Sequence, residues 1–250
     1  MRKLKKSFLF SLILLPVAVV GGYFAALMSI ASIEPSILES VIKQFGSKQL
    51  LVVVSTIQPV ILALISGFFG YILSEKVGLM RPFGFERSKL LKTILVSLTG
   101  GALFSLDAWT FARWIPGLRY DASSSFDAVT WIASILYGGI IEEVMLRLFF
   151  MSLLSFLAWK LFFRKEETVP TGVFIIANII AAVIFAAGHL PATALAFGAL
   201  TPMLLFRCFL LNGTFGLIFG RLYRKYGIQY AMLAHMLFHI VSKTIWMIAL

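Results

Sequence analysis

The sequence predicts an all-α protein, a polytopic bundle of about seven transmembrane helices. Three observations carry this. Hydrophobic residues make up 60% of the 250 and charged residues only 13%, about half the charged share of an ordinary soluble domain. Apolar runs recur along the whole chain at the length, about 20 residues, that a helix needs to cross a bilayer. The runs are continuous rather than short and alternating, which excludes a membrane β-barrel.

Taken in order, the predicted spans are residues 7–33, 50–73, 90–111, 126–163, 172–188, 192–220 and 230–249. They leave no room for a separate soluble domain, so the chain is expected to sit in the cell membrane as a multi-pass protein with lipid as its surroundings. The opening "MRKLKKSFLFSLILLPVAVVGGYFAALM" has the basic head and apolar stretch of a secretory signal. Its apolar run is too long for a typical signal, so it is expected to be a retained first span that sets orientation.

The net charge is +11, from 22 Lys and Arg against 11 Asp and Glu, which could suggest nucleic acid. Its distribution argues for a membrane instead. Four basic residues fall in 1–6, five in 74–92, three in 160–170 and three in 221–228, all on one side if the spans alternate, while loops 34–49 and 112–125 carry two each. Fifteen against four is the positive-inside bias, and it places the N-terminus in the cytoplasm, the C-terminus outside, and no nucleic acid among the partners. The loop "SEKVGLMRPFGFERSKLLK" fits a solvated connector that touches lipid headgroups. The single Cys208 excludes an internal disulfide.

Ionisable residues at bilayer depth cost several kcal/mol and by default mark function. Here they are Glu142, Glu143, Arg147, His189, Arg207, His235, His239 and Lys243, with Asp107 and Asp127 near span ends. The chain has three histidines and all three are in this set. Glu143 and Arg147, four apart and about 40° around a helix, can pair on one face. Glu142, rotated about 100° from Glu143, is left to find its partner on another helix. Read blandly, all three form a polar knot between helices, which accounts for the pair better than for Glu142.

In "AMLAHMLFHIV" the two imidazoles of His235 and His239 are four apart, with Lys243 a turn further along the same face. Such a pair suits either a metal or two hydrogen-bonding groups aimed at one reacting centre, and equally a plain helix–helix hydrogen bond. Lys243 would repel a nearby metal ion unless it snorkels outward. In "VIFAAGHLPAT", Pro191 is expected to stop or bend the helix beside His189, which frees carbonyl groups and space around the imidazole. Arg207 is left open between lining a cavity and facing headgroups.

These residues carry a resemblance. "EEVMLR" fits E-E-x-x-x-R, "FAAGH" fits F-x-x-x-H, and "HMLFH" lies where H-x-x-x-N is expected, in the order seen in the CPBP family. That family includes CAAX prenyl endopeptidases and bacterial bacteriocin-processing or self-immunity proteins. The run "GLIFGRLYRKYGIQYAMLAH" also resembles the family's connector into its last catalytic helix. The likeness covers roughly residues 126–245 and divides the chain into N-terminal transmembrane helices, 1–125, and a catalytic helical core, 126–250, within one membrane domain.

The resemblance implies an intramembrane endopeptidase acting on a membrane-associated or lipidated protein or peptide. Glu142 would activate the attacking water with His189, His235 would stabilise the oxyanion or bind metal, and residue 239 would assist it. Glu143 and Arg147 belong to the same motif. One departure matters: the family's Asn is here His239, which can still donate a hydrogen bond but can also change charge and ligate zinc.

Two mechanisms stay open at the level of sequence. In the metal-free one, which we favour slightly, Glu142 is the base and the histidines orient and stabilise. In the other, His189, His235 and His239 hold Zn²⁺ with a water in the fourth position, although the H-E-x-x-H spacing is absent. Two non-proteolytic rivals stand beside these. One is an immunity or scaffold protein on the same fold. The other is a proton-coupled transporter, against which the chain shows no Gly- or Pro-broken helices in two matching halves.

Overall fold

The computed structural model describes residues 2–118, 120 and 127–250. Among the described residues all regular structure is helical. Arg119, one of the basic loop residues, and Phe126, the predicted start of the fourth span, lie outside the described residues.

Helices α1 (Arg2–Ala31) and α3 (Lys48–Lys76) run antiparallel. Ser7 Oγ donates to Phe68 O at 2.7 Å and Ser11 Oγ to Leu64 O at 3.0 Å across their contact. Pro16 and Pro59 lie inside these helices, as neighbours in a membrane bundle permit. The sequence reading missed the short α2 (Pro35–Phe45) between them. Pro35 opens this helix and the Glu34 carboxylate accepts from Ile37 N, while Gly46 in the left-handed region ends it. Leu38, Val41, Ile42 and Phe45 pack on Ile30, Leu51 and Val52, so α2 is an amphipathic strap over the end of the α1/α3 pair.

Helix α4 (Arg87–Ser105) leads into two 3-10 turns, Leu106–Ala108 and Phe111–Arg113. Helix α5 occupies residues 128–162. Asp127 caps it by accepting from Val129 N and Thr130 N, and this is the role of one of the two carboxylates noted near span ends. Its middle is wound as two π-helical segments, Ala133–Glu142 and Val144–Met151, between α-helical ends Ala128–Ile132 and Ser152–Phe162. The wide i→i+5 winding is rare, and where it occurs it is often at functional sites.

After α5 come α6 (Thr171–Gly188) and α7 (Leu190–Phe197), then α8 over Pro202–Tyr226 and α9 (Ile228–Ala249). Six helical stretches are long and apolar enough to cross a membrane: Leu4–Ala31, Lys48–Lys76, Arg87–Arg113, Thr171–Phe197, Pro202–Tyr226 and Ile228–Ala249. Helix α5, divided by its mixed winding, runs among them against α1, α3 and α9, in line with about seven spans.

The spans 172–188 and 192–220 need a correction. Helix α6 does stop at Gly188, beside His189 as expected, but the chain does not reverse at Pro191. This residue sits in the first turn of α7, where its missing N–H breaks no helical bond. The reversal comes at Gly198, with φ 74°, and Thr201 caps α8 by accepting from Leu204 N.

The packing is that of a protein solvated by lipid. On α6 the small or inward residues Val173, Ala177, Ala181 and Phe185 are buried, while Ile176, Ile179, Ile180, Val183 and Ile184 point outward. Water would reverse that preference; hydrocarbon does not, and small residues let helices approach closely. Around the future site the approach is closest at Gly139. There a Cβ would fall 2.3 Å from Met236 Cγ, so α5 and α9 touch nearly backbone to backbone.

Candidate active site

Helices α5 and α9, in contact at Gly139 and Met236, bring the anomalous side chains of both helices together. Glu143 is fully buried, and its Oε1 accepts from His235 Nδ1 at 2.9 Å and pairs with Arg147 Nη1 at 3.0 Å. Arg147 Nη2 donates to Gly216 O on α8 at 3.1 Å. The guanidinium also lies over the Phe185 ring at 4.6 Å, a contact that offsets part of its desolvation. The i, i+4 pair expected from the sequence is thus present, with His235 as a third member.

Glu142 faces the other way. It lines a cavity of about 430 Å³ together with His189, His235, His239, Tyr137 and Arg207. Among the described residues neither the Glu142 carboxylate nor the His239 ring has a hydrogen-bond partner, so both are available to whatever enters. A side chain at Gly138 would come within 3.0 Å of His239 Nε2 and 3.9 Å of Glu142 Oε2. Gly138 therefore keeps open the gap between the two groups. The sequence reading missed it, although a glycine one turn before a buried carboxylate is the signal that could have found it.

Two of the three imidazoles have defined tautomers. His189 caps α6 and its Nδ1 lies 2.8 Å from Phe185 O. A carbonyl only accepts, so Nδ1 carries the proton and Nε2 is a free acceptor. His235 Nδ1 likewise donates to the Glu143 carboxylate, which leaves its Nε2 edge for the cavity. The His235 ring is stacked between Phe219, at 4.4 Å, and His239, at 4.8 Å. The column fixes both rings.

The stacking bears on zinc. His235 and His239 are parallel to within 26°, so their in-plane lone pairs run side by side instead of converging on a tetrahedral centre. Among the described residues no three His, Cys, Asp or Glu side chains are placed to hold an ion. The three-histidine ligand set of His189, His235 and His239 does not fit this arrangement.

The remaining charges separate. Lys243 sits a turn beyond His239 on α9, largely buried. Arg207 is settled as a cavity-lining residue: its Nε donates to both Asp107 oxygens at 3.0 Å, and its Nη2 donates to Tyr120 Oη at 2.9 Å and pairs with Asp107 Oδ2. Tyr120 also donates to Asp107. This triad ties the segment after α4 to α8 at the cavity mouth, a pairing across 100 positions that local spacing does not reveal.

Residues 124–241, a little under half of the chain, match the family model described as type II CAAX prenyl endopeptidase Rce1-like. The match spans the three motifs that carried the resemblance to the CPBP family. Neither the curated proteins nor the solved structures compared with the chain give a match.

Proposed function

We propose, on the premise of an Rce1-like segment at residues 124–241, that this multi-pass membrane protein is an intramembrane endopeptidase in which Glu142 activates water. The family supports a protease of the CAAX type in general. The observation that carries the finer reading is that Glu142 and His239 face one cavity with no side-chain hydrogen-bond partner among the described residues, beside two imidazoles whose tautomers are fixed.

In this reading the water lies between Glu142 and the Nε2 of His189. Glu142 takes one of its protons as the oxygen attacks the scissile carbonyl carbon. The carbonyl oxygen becomes an oxyanion, and the ring N–H of His239 donates to it, with the His235 ring stacked behind it. The Glu143 carboxylate orients His235 by accepting from its Nδ1, and Arg147 holds that carboxylate in place. When the C–N bond breaks, the proton held by Glu142 passes to the leaving amine. The second proton of the water follows it, so the products are a carboxylate and an ammonium group, with one water consumed.

The test compares membrane-fraction N- and C-termini from cells that express the wild type or Glu142→Gln at equal, verified levels. A positioned base contributes about 10²–10⁴-fold, so a set of termini should fade to background in the variant. Chelators should leave those termini in place. Identical profiles, with the variant still complementing a deletion phenotype, would favour the immunity or scaffold reading.

A further inference from the structure

We infer that the cavity opens on the face of the membrane opposite the basic loops, so that its substrate is an exported peptide segment at the outer leaflet rather than a tail presented in the cytoplasm. This rests on the endopeptidase reading for the word substrate, though not for the direction of the opening.

Cross-bundle hydrogen bonds define two ends. At one end, Tyr230 Oη accepts from Glu86 N and Gln229 Nε2 donates to Pro82 O and Gly84 O, joining the start of α9 to the loop before α4. At the other, Trp246 Nε1 donates to Ser105 O and Cys208 Sγ to Ala186 O, joining the finish of α9 to the finish of α4, and the first part of α8 to the finish of α6. The antiparallel α1/α3 contact places Ala31 and Lys48 at this second end.

The cavity belongs to the second end. Beyond its catalytic floor it is lined by Met28 and Ser32 at the finish of α1, by Leu118, by Thr193 and Phe197 of α7, and by Arg207. No lining residue comes from the first end. The basic clusters have the opposite placement: 74–92, 160–170 and 221–228 all lie at the first end, with eleven Lys and Arg, against Lys43, Lys48 and Arg113 among the described residues of the other end. The asymmetry survives without residues 1–6. Short loops rich in Lys and Arg stay in the cytoplasm, so the cavity faces away from it. Leu118, Phe197 and Leu211 line the cavity together with Arg207, walls suited to an apolar stretch of peptide.

The experiment uses the full-length chain in intact cells. Cys208, the chain's single thiol and buried, is replaced by Ser, which can still donate to Ala186 O. Single cysteines are then placed at exposed uncharged positions: Ser32→Cys and Ala196→Cys at the mouth, Ser88→Cys and Thr168→Cys at the other end. A membrane-impermeant maleimide should label the first two in intact cells, and the last two only after lysis. Two reporters at each end, on different elements, keep the result readable if one variant fails to accumulate. The reverse pattern, or labelling of both ends from outside, overturns the inference and leaves proteolysis untouched. Labelling as expected with termini unchanged by Glu142→Gln would instead remove the protease and leave the opening where we place it.

Discussion

Two arginines inside this bundle, one buried and one partly exposed, solve the same problem in different ways. Arg147, 1% exposed, pairs with Glu143 four residues away on its own helix, and Glu143 reaches across to His235. Arg207, 19% exposed in its side chain, meets Asp107 from another segment and shares it with Tyr120. In the first network one carboxylate oxygen, Glu143 Oε2, is left without a partner; in the second both carboxylate oxygens are bonded. A network closed on itself holds two segments together. One that spends a carboxylate on the back of an imidazole fixes which ring edge faces the cavity, at the cost of an unsatisfied oxygen.

That contrast can be broken at several points. Arg147→Ala should have the largest effect on stability, about 3–5 kcal/mol, because it takes the counter-ion from Glu143 at full burial and leaves it only the His235 N–H; the purified protein in detergent should lose its thermal transition or fail to accumulate. Gly138→Ala should leave that transition nearly in place yet cut proteolysis by about 10²-fold, since a shift of an ångström between reacting groups is that costly; terminal profiling at matched protein levels reads it. Asp107→Asn should lie lower, at about 1–3 kcal/mol, because Arg207 keeps access to the cavity and to Tyr120; a smaller drop in the same melting experiment is expected. Ser7→Ala, which removes one side-chain bond to Phe68 O in the α1/α3 contact, should cost only about 1 kcal/mol and leave proteolysis unchanged.

How much of this could be seen in the chain depended on distance along it. The Glu143–Arg147 pair and the separate aim of Glu142 follow from positions on one helix, and the histidines drew attention because imidazoles are rare at that depth. What the spacing could not convey was the meeting of Asp107 with Arg207, set by tertiary packing alone. The wide winding of α5 was equally hidden, since angular reasoning assumes 3.6 residues per turn. Helix α2 escaped because a short amphipathic strap looks like a loop beside runs several times more apolar. Pro191 marks the stop of α6 beside His189, as expected, but a proline welcome in the first turn of the next helix does not itself reverse the chain, which waits until Gly198.

The join between α8 and α9 is a single residue, Gly227, with φ 114° and its N–H bonded to Tyr223 O. A connector this short has no slack for one arm to wait in the aqueous exit of a translocation channel while the other is already in lipid. During biogenesis the hairpin must therefore partition as one body. His235 then enters hydrocarbon with the Phe219 ring of α8 already stacked on it, so an arm too polar to insert alone is carried in by its neighbour.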